Sequence, residues 1–342
     1  MIVPNILENV DLQPFNTMAV PSRCRFFLTA ENVDDIRYAL TWAKQKGVSV
    51  SILAGGSNCL LPAFVDALVV HPKLLGITLL EDFETSVLVK ASAGENWHAF
   101  VLYCLNQGFF GLENLALIPG MVGAAPIQNI GAYGVELKDV FETLEALDRD
   151  TGELVEFNSA ACEFDYRDSV FKHRLENRVV ITAVTFRLSR HASVAECYPA
   201  LEAALAAVGR SKSATPHDVA AAVVAIRQKK LPDPRELPNA GSFFKNPIVS
   251  NNVAKRLKQR NPDVVMFDAG EGYKKIAAGW LIEKAGWKGK EQFGVRVHEH
   301  QALVITNPNR VERDQILKMA DAISSQVLAL FGVTLEQEPR LL

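Results

Sequence analysis

Several short stretches of this chain carry residue types that could do chemistry together. Gly55-Gly56-Ser57-Asn58 places a double-glycine turn and two small polar side chains directly after an apolar run, offering N–H and hydroxyl donors of the kind a pyrophosphate needs. Asn114 to Val135 then runs for 22 residues without a charged side chain, with glycine at 120, 123, 131 and 134. The length would admit a membrane helix, but these glycines, Pro119, Pro126 and the pair Gln128-Asn129 would leave polar groups facing lipid. A dry, irregular loop system around a large, mostly apolar cofactor with a pyrophosphate suits the composition better. Composition alone also admits a Gly-rich connection packed under neighbouring strands, and the dinucleotide fingerprint GxGxxG is missing here. Further along stand Tyr166-Arg167-Asp168-Ser169, Gly241-Ser242-Phe243-Phe244-Lys245-Asn246-Pro247 and Glu338-Pro339-Arg340. Taken singly, Ser242 reads as a turn or cap residue, Arg167 as a surface partner of Asp168, and Glu338 as a solvated strand end.

Their joint occurrence and order narrow the choice. From about Asn16 to Arg340 the chain resembles the UDP-N-acetylenolpyruvoylglucosamine reductase family, flavoenzymes of peptidoglycan precursor synthesis. The resemblance implies an α+β fold with an FAD-binding region of two α+β subdomains, of the vanillyl-alcohol-oxidase-like (PCMH-like) type, and a third α+β domain for the UDP-sugar. It divides the chain at residues 1–70, 71–212, 213–330 and a C-terminal strand, 331–342, returning to the active site. The cofactors implied are FAD, with NADPH as reductant. FAD would be cradled by Gly55, Gly56, Ser57 and Asn58 with Pro119, Gly120, Gly123, Ile127, Gln128 and Gly131, assisted by Arg227 and Arg340. For the family's reduction of an enolpyruvyl ether, the resemblance makes Ser242 the proton donor and sets Arg167 and Glu338 to polarise the carboxylate. It points to Tyr133, Tyr198, Lys230, Asn246, Lys275 and Gln301 for the UDP-sugar. Tyr198 lies in His191–Leu201, a loop of one branch of the family, although without the family it reads equally as a buried aromatic. The family commonly has Glu-Val-Arg where this chain has Glu338-Pro339-Arg340. The remaining alternatives are another flavin oxidase or dehydrogenase of the same superfamily, or a nucleotide-sugar-binding protein without catalysis.

The elements that must position these residues follow from periodicity and punctuation. Val33, Ile36, Leu40 and Ala43 predict a helix over Glu31–Gly47, followed at once by a strand through Val48, Val50 and Ile52 into the Gly-Gly turn. A second helix is expected from Trp97 to Gly108, and strands at Ala67–His71, Val87–Ala91, Phe141–Leu147, Leu154–Phe157 and Val179–Arg187. Ala200–Val208 reads as a short helix, and Thr215, Pro216 and Asp218 as the capped start of another ending in Ile-Arg-Gln-Lys-Lys. Helices are expected at Ala277–Ala285 and Val311–Phe331, extended chain at Gly294–His298 and Ala302–Thr306, and a final strand in VTLEQEPRLL.

Whole-chain numbers bound the rest. A length of 342 residues implies two or three domains and clefts between them. With 49% apolar and 22% charged residues, and 36 basic against 39 acidic side chains giving −3, nothing draws the chain to nucleic acid or membrane. The expected partner is a small-molecule substrate, and the expected state a monomer. Five scattered cysteines without a CxxC pair predict buried thiols and no metal. No secretory signal is visible in MIVPNILENVDLQPFN, so a cytoplasmic location is expected.

Overall fold

The computed structural model describes residues 4–192, 199–210 and 213–342, which form two compact units. The first comprises residues 1–10, 24–55 and 66–229. It contains a four-stranded sheet in the order Leu7–Asp11, Arg23–Ala30, Phe64–Pro72, Ser49–Ile52, and a five-stranded antiparallel sheet in the order Leu154–Asn158, Phe141–Asp148, Val179–Ser189, Ser86–Ser92, Ile77–Asp82. Ser49–Ile52 runs parallel to Phe64–Pro72 and delivers the chain directly to Gly55. The helix between the first sheet's strands, Val33–Lys46, starts at a capping box of Asn32 and Asp35 and stops where Gly47 turns left-handed at φ 65°. Its Ile36, Ala39 and Ala43 pack on Leu28, Leu68 and Val70, and the cluster extends to Leu147 and Val180 of the larger sheet.

The larger sheet carries the other core of this unit. The helix Trp97–Asn106 lays Trp97, Phe100, Val101 and Cys104 against Val87, Val89 and Phe186, with Trp97 and Phe186 meeting edge to face at 5.9 Å. The helix Pro216–Lys230 buries Val219, Ala220 and Val223 in the same cluster. It begins as expected, the Thr215 hydroxyl accepting from the Asp218 N–H at 3.2 Å and the Asp218 carboxylate accepting from the Thr215 N–H at 2.9 Å.

The second unit comprises residues 11–23, 56–65 and 230–342. Its sheet order is Asn239–Ser242, Val304–Thr306, Val295–Val297, Glu291–Gln292, covered by the helices Ala278–Lys284 and Arg313–Phe331. Gly332 ends the long helix in the left-handed conformation at φ 66°. A smaller sheet, Ile248–Ser250, Tyr273–Ile276, Met266–Asp268, and the helix Asn251–Arg260 complete it. The final strand is shorter than the sequence suggests: only Arg340–Leu341 is extended in a ladder, parallel to Cys59–Leu60. Pro339 supplies no N–H, and Val333 and Leu335 are committed to the core. Among the described residues no helix is long and apolar enough to cross a membrane.

Candidate active site

In the first unit the uncharged stretch folds as a chain of tight turns, with 3-10 turns at Glu113–Leu115, Val122–Ala124 and Pro126–Gln128 and a small hairpin of Gly131–Ala132 with Val135–Glu136. It is clamped by the start of the Trp97–Asn106 helix: Trp97 N donates to the Gly120 carbonyl at 3.1 Å, Val122 N to the Glu95 carbonyl at 2.9 Å, and the Trp97 indole to the Leu115 carbonyl at 2.9 Å. Buried Asn129 organises the other end, donating from Nδ2 to the Glu136 carboxylate and the Asp165 carbonyl, both at 3.0 Å, while its Oδ1 accepts from Lys138 N. Its φ of 44° is one that asparagine tolerates.

Arg167 has φ 54° and donates from Nη2 to the Gly131 carbonyl at 2.5 Å; its guanidinium stands over the Tyr166 ring at 5.3 Å. A Cβ at Gly131 would lie 2.9 Å from Arg167 Nη1, so this glycine makes room for the arginine. Tyr133, with φ 50°, is fixed through its carbonyl by Asn114 Nδ2 at 2.9 Å. Half-buried Arg227 donates from Nε to the Leu117 carbonyl at 3.2 Å. Burial pushes its pKa down, Tyr133 works against that shift, and the like charge of Arg167 adds to it. The structure therefore gathers Tyr133, Arg167, Arg227 and Gly131 around one loop system. Asp168 pairs with His173 Nε2 at 2.7 Å.

In the second unit Ser242 follows Gly241, whose φ of 70° opens a bulge in the pairing with Val304–Thr306. Buried Asn239 stabilises the bulge: its Oδ1 accepts from Gly241 N at 2.9 Å and its Nδ2 donates to the Pro232 and Leu237 carbonyls. Beyond Ser242 the backbone is held on both sides, Phe243 N donating to the Leu303 carbonyl at 2.7 Å and Glu338 N to the Phe243 carbonyl at 2.8 Å. Glu338 thus stands beside the residue that follows Ser242. Asn58 Nδ2 donates to the Glu338 carbonyl at 3.4 Å, and Arg340 N to the Asn58 carbonyl at 3.0 Å, so Asn58, Glu338 and Arg340 share one corner. Lys245 is ion-paired with Glu336. Asn246 Oδ1 accepts from Ala278 N at 2.9 Å, Ile276 N donates to the Pro247 carbonyl at 2.9 Å, and a Cβ on Gly279 would lie 3.6 Å from Gln301 Oε1. Asn246 and Gln301 thus both lie at the start of the Ala278–Lys284 helix, and Lys275 stands opposite Ile248 in the smaller sheet. Lys230 is the exposed last residue of its helix, and Tyr198 lies outside the described residues.

The glycines work differently from the expectation of ligand access alone. A Cβ at Gly56, φ 56°, would fall 2.0 Å from the Phe15 carbonyl oxygen, and one at Gly123 would fall 2.5 Å from the Ala93 Cβ. Both are required first by protein packing. Gly55 and Gly120 let two turns come together: their backbones approach so closely that a Cβ on Gly55 would lie 3.2 Å from Gly120 Cα. Among the described residues, the N–H groups of these two glycines donate to no protein acceptor.

Comparison with known proteins shows the family. The family model for the C-terminal domain of UDP-N-acetylenolpyruvoylglucosamine reductase matches residues 233–342, and a model for an FAD binding domain matches residues 24–158. The chain is 48% identical to the UDP-N-acetylenolpyruvoylglucosamine reductase of Pseudomonas savastanoi pv. phaseolicola, covering 97% of each sequence. This chain belongs to the UDP-N-acetylenolpyruvoylglucosamine reductase family. The reductase of Chromobacterium violaceum is 47% identical, with 98% of both chains covered. The solved reductase of Thermus caldophilus, at 20% identity and a TM-score of 0.66 over 99% of each chain, shares the fold. The protein is an FAD-dependent oxidoreductase of α+β class, and its residues fit that cofactor. The uncharged turns offer a neutral lining, and the N–H groups of Gly55 and Gly120 are the donor type a pyrophosphate takes.

Sequence reasoning missed Asn129, Asn239 and Asn114, the side chains that tie the turns together. A polar residue able to adopt positive φ inside an otherwise apolar stretch was the only signal for Asn129. For the other two the sequence carried none.

Proposed function

We propose that this protein uses NADPH and FAD to reduce UDP-N-acetylglucosamine enolpyruvate to UDP-N-acetylmuramate in peptidoglycan precursor synthesis. FAD, when bound, would supply the two-electron chemistry by which NADPH's hydride equivalent reaches the terminal methylene of the enolpyruvyl group. Addition at that carbon leaves an electron pair on its neighbour, spread into the carboxylate, so the protein must stabilise an enolate and deliver one proton. Ser242 is the proposed donor, with Arg167 and Glu338 at the carboxylate. The observation that supports the assignment is the main-chain bond from Glu338 N to the Phe243 carbonyl, 2.8 Å, which holds the backbone of residue 338 beside the turn that carries Ser242.

Further parts of the reading belong with it. The FAD contacts are those named from the sequence at 55–58 and 119–131, with Arg227 and Arg340. Tyr133, Lys230, Asn246, Lys275 and Gln301 take the UDP-sugar, a reading supported by the place of Asn246 and Gln301 at the start of the Ala278–Lys284 helix. Tyr198 marks the branch with the extra tyrosine loop. The proposed functional divisions are 1–70, 71–212, 213–330 and 331–342, with the Pro216–Lys230 helix packed in the core of the first compact unit, and the protein works as a cytoplasmic monomer.

An anaerobic titration tests the central claim. The purified protein should show flavin absorbance, bleach on addition of NADPH, and recover its colour when the enolpyruvyl UDP-sugar is added, with UDP-N-acetylmuramate as product. Bleaching by NADPH without recovery on addition of the sugar would overturn the substrate assignment, and a colourless protein that takes up no FAD would overturn the cofactor.

A further inference from the structure

Leu117 opens the turn into Ile118-Pro119-Gly120 with φ 59°, a conformation that costs a leucine energy and therefore has to be held. Both of its peptide groups are pinned by side chains. On one side its N–H donates to His98 Nδ1 at 3.0 Å; on the other its carbonyl accepts from Arg227 Nε at 3.2 Å. An amide N–H can only donate, so His98 must present Nδ1 without a proton and carry its hydrogen on Nε2. Glu95, Trp97 and His98 thus grip the segment from Leu115 to Val122 at successive points.

We propose that His98 is a positioning residue for FAD, on the reading that this loop cradles it: neutral His98 holds Leu117 in its left-handed turn, and a proton on Nδ1 releases the loop and weakens FAD binding. Half-buried His98 sits in the first turn of the Trp97–Asn106 helix, whose N-terminus disfavours a cation. Burial is the main cause that lowers its pKa, and Arg227, from the Pro216–Lys230 helix, adds to it. Arg227 in turn faces Tyr133 and Arg167. The nearest acid in sequence, Glu95, is occupied with the Gly76 N–H at 2.7 Å. With the folded value below the ordinary 6.5, the neutral clamp is intact at pH 6.5 and above and is lost only as pH falls through that lowered value.

The test uses the full chain, measuring FAD affinity by fluorescence from about pH 8 to about pH 5. In the wild type, binding should weaken by about tenfold towards acid, the effect of one lost hydrogen bond. His98→Asn sets an amide oxygen in place of Nδ1 without titrating, and should bind as the wild type does at pH 8 and lose the acid step. His98→Ala should be weaker by about tenfold at every pH. A second readout needs no cofactor: in the flavin-free wild type, the Leu117 amide signal in an NMR titration should shift together with the His98 ring. A wild-type affinity that does not change with pH, an acid step that persists in His98→Asn, or a Leu117 amide blind to His98 would each overturn the proposal. Failure of the wild type to bind FAD at any pH would instead overturn the cofactor reading of the loop, while the Leu117 titration would still decide the clamp itself.

Discussion

The loop from Asn114 to Val135 and the turn from Asn239 to Asn246 are held by opposite means. In the first, three residues other than glycine adopt positive φ (Leu117, Asn129 and Tyr133), and side chains from distant elements keep them there: His98, Arg227, Asn114 and Asn129 itself. In the second, positive φ is left to Gly241, and the main chain is bonded on both sides, to Leu303 and to Glu336 and Glu338. Strain of roughly 1–2 kcal/mol per left-handed residue makes the first region depend on its side chains for shape. The second region keeps its shape through backbone bonds and the buried Asn239 side chain, so the Ser242 side chain can be exchanged with little structural consequence.

The largest effect that sharpens this contrast is expected at Ser242. Ser242→Ala should slow reoxidation by the enolpyruvyl sugar by at least ~10²-fold, leave reduction by NADPH near the wild-type rate, and leave the melting temperature almost unchanged. Ser242→Cys, which keeps a transferable proton, should recover part of the loss. If stopped flow finds both half-reactions slowed alike, Ser242 is a structural turn residue and the contrast fails.

In the loop the loss should fall on stability instead. Gly123→Ala forces a Cβ to 2.5 Å from Ala93 Cβ and should cost about 1–3 kcal/mol in denaturant unfolding. Gly134→Ala, with no atom within 4 Å but φ 85°, should cost about 1 kcal/mol. Equal costs would mean that packing does not dictate this loop.

The smallest effect tests the loop's buried entrance. Glu113 accepts from Gly111 N at 2.7 Å, and burial raises its carboxyl pKa above the ordinary 4.5 against the pull of its backbone bonds and of His217. Folding therefore favours the protonated form, so stability should rise as pH falls through the raised value and level off below about 4.5. Glu113→Gln keeps an acceptor and removes the charge. It should unfold at slightly higher denaturant than the wild type at pH 8, with the gap closing below pH 4.5. A gap that is constant with pH would trace the effect to packing.

What the sequence makes legible depends on how local its cause is. Gly47 and Gly332 stop their helices because left-handed closure is encoded by single residues, and the Thr215 to Asp218 cap is equally local. The strands Ile248–Ser250 and Met266–Asp268 have three residues each, too few to show a period of two, and Ile77–Asp82 is exposed along most of its length, so it lacks an alternating face. The helix Asn251–Arg260 buries only Ala254 and Leu257. In the site, the glycines and the order of the stretches were visible in the sequence. The clamp on Leu117 was not, because His98 reaches it across 19 positions and a lone histidine carries no pattern.

The second unit is threaded from three separated pieces, with Asn239 N donating to the Thr17 carbonyl, Asn307 Nδ2 to the Met18 carbonyl, and Arg340 paired with Cys59. During synthesis, residues 11–23 and 56–65 leave the ribosome long before those partners exist, a delay on the order of tens of seconds at ordinary elongation rates. Throughout it Met18, Val20 and Leu60, all fully buried in the finished core, have nothing from residues 230–342 to pack against. These two short segments are therefore where a nascent chain of this protein should most need a chaperone.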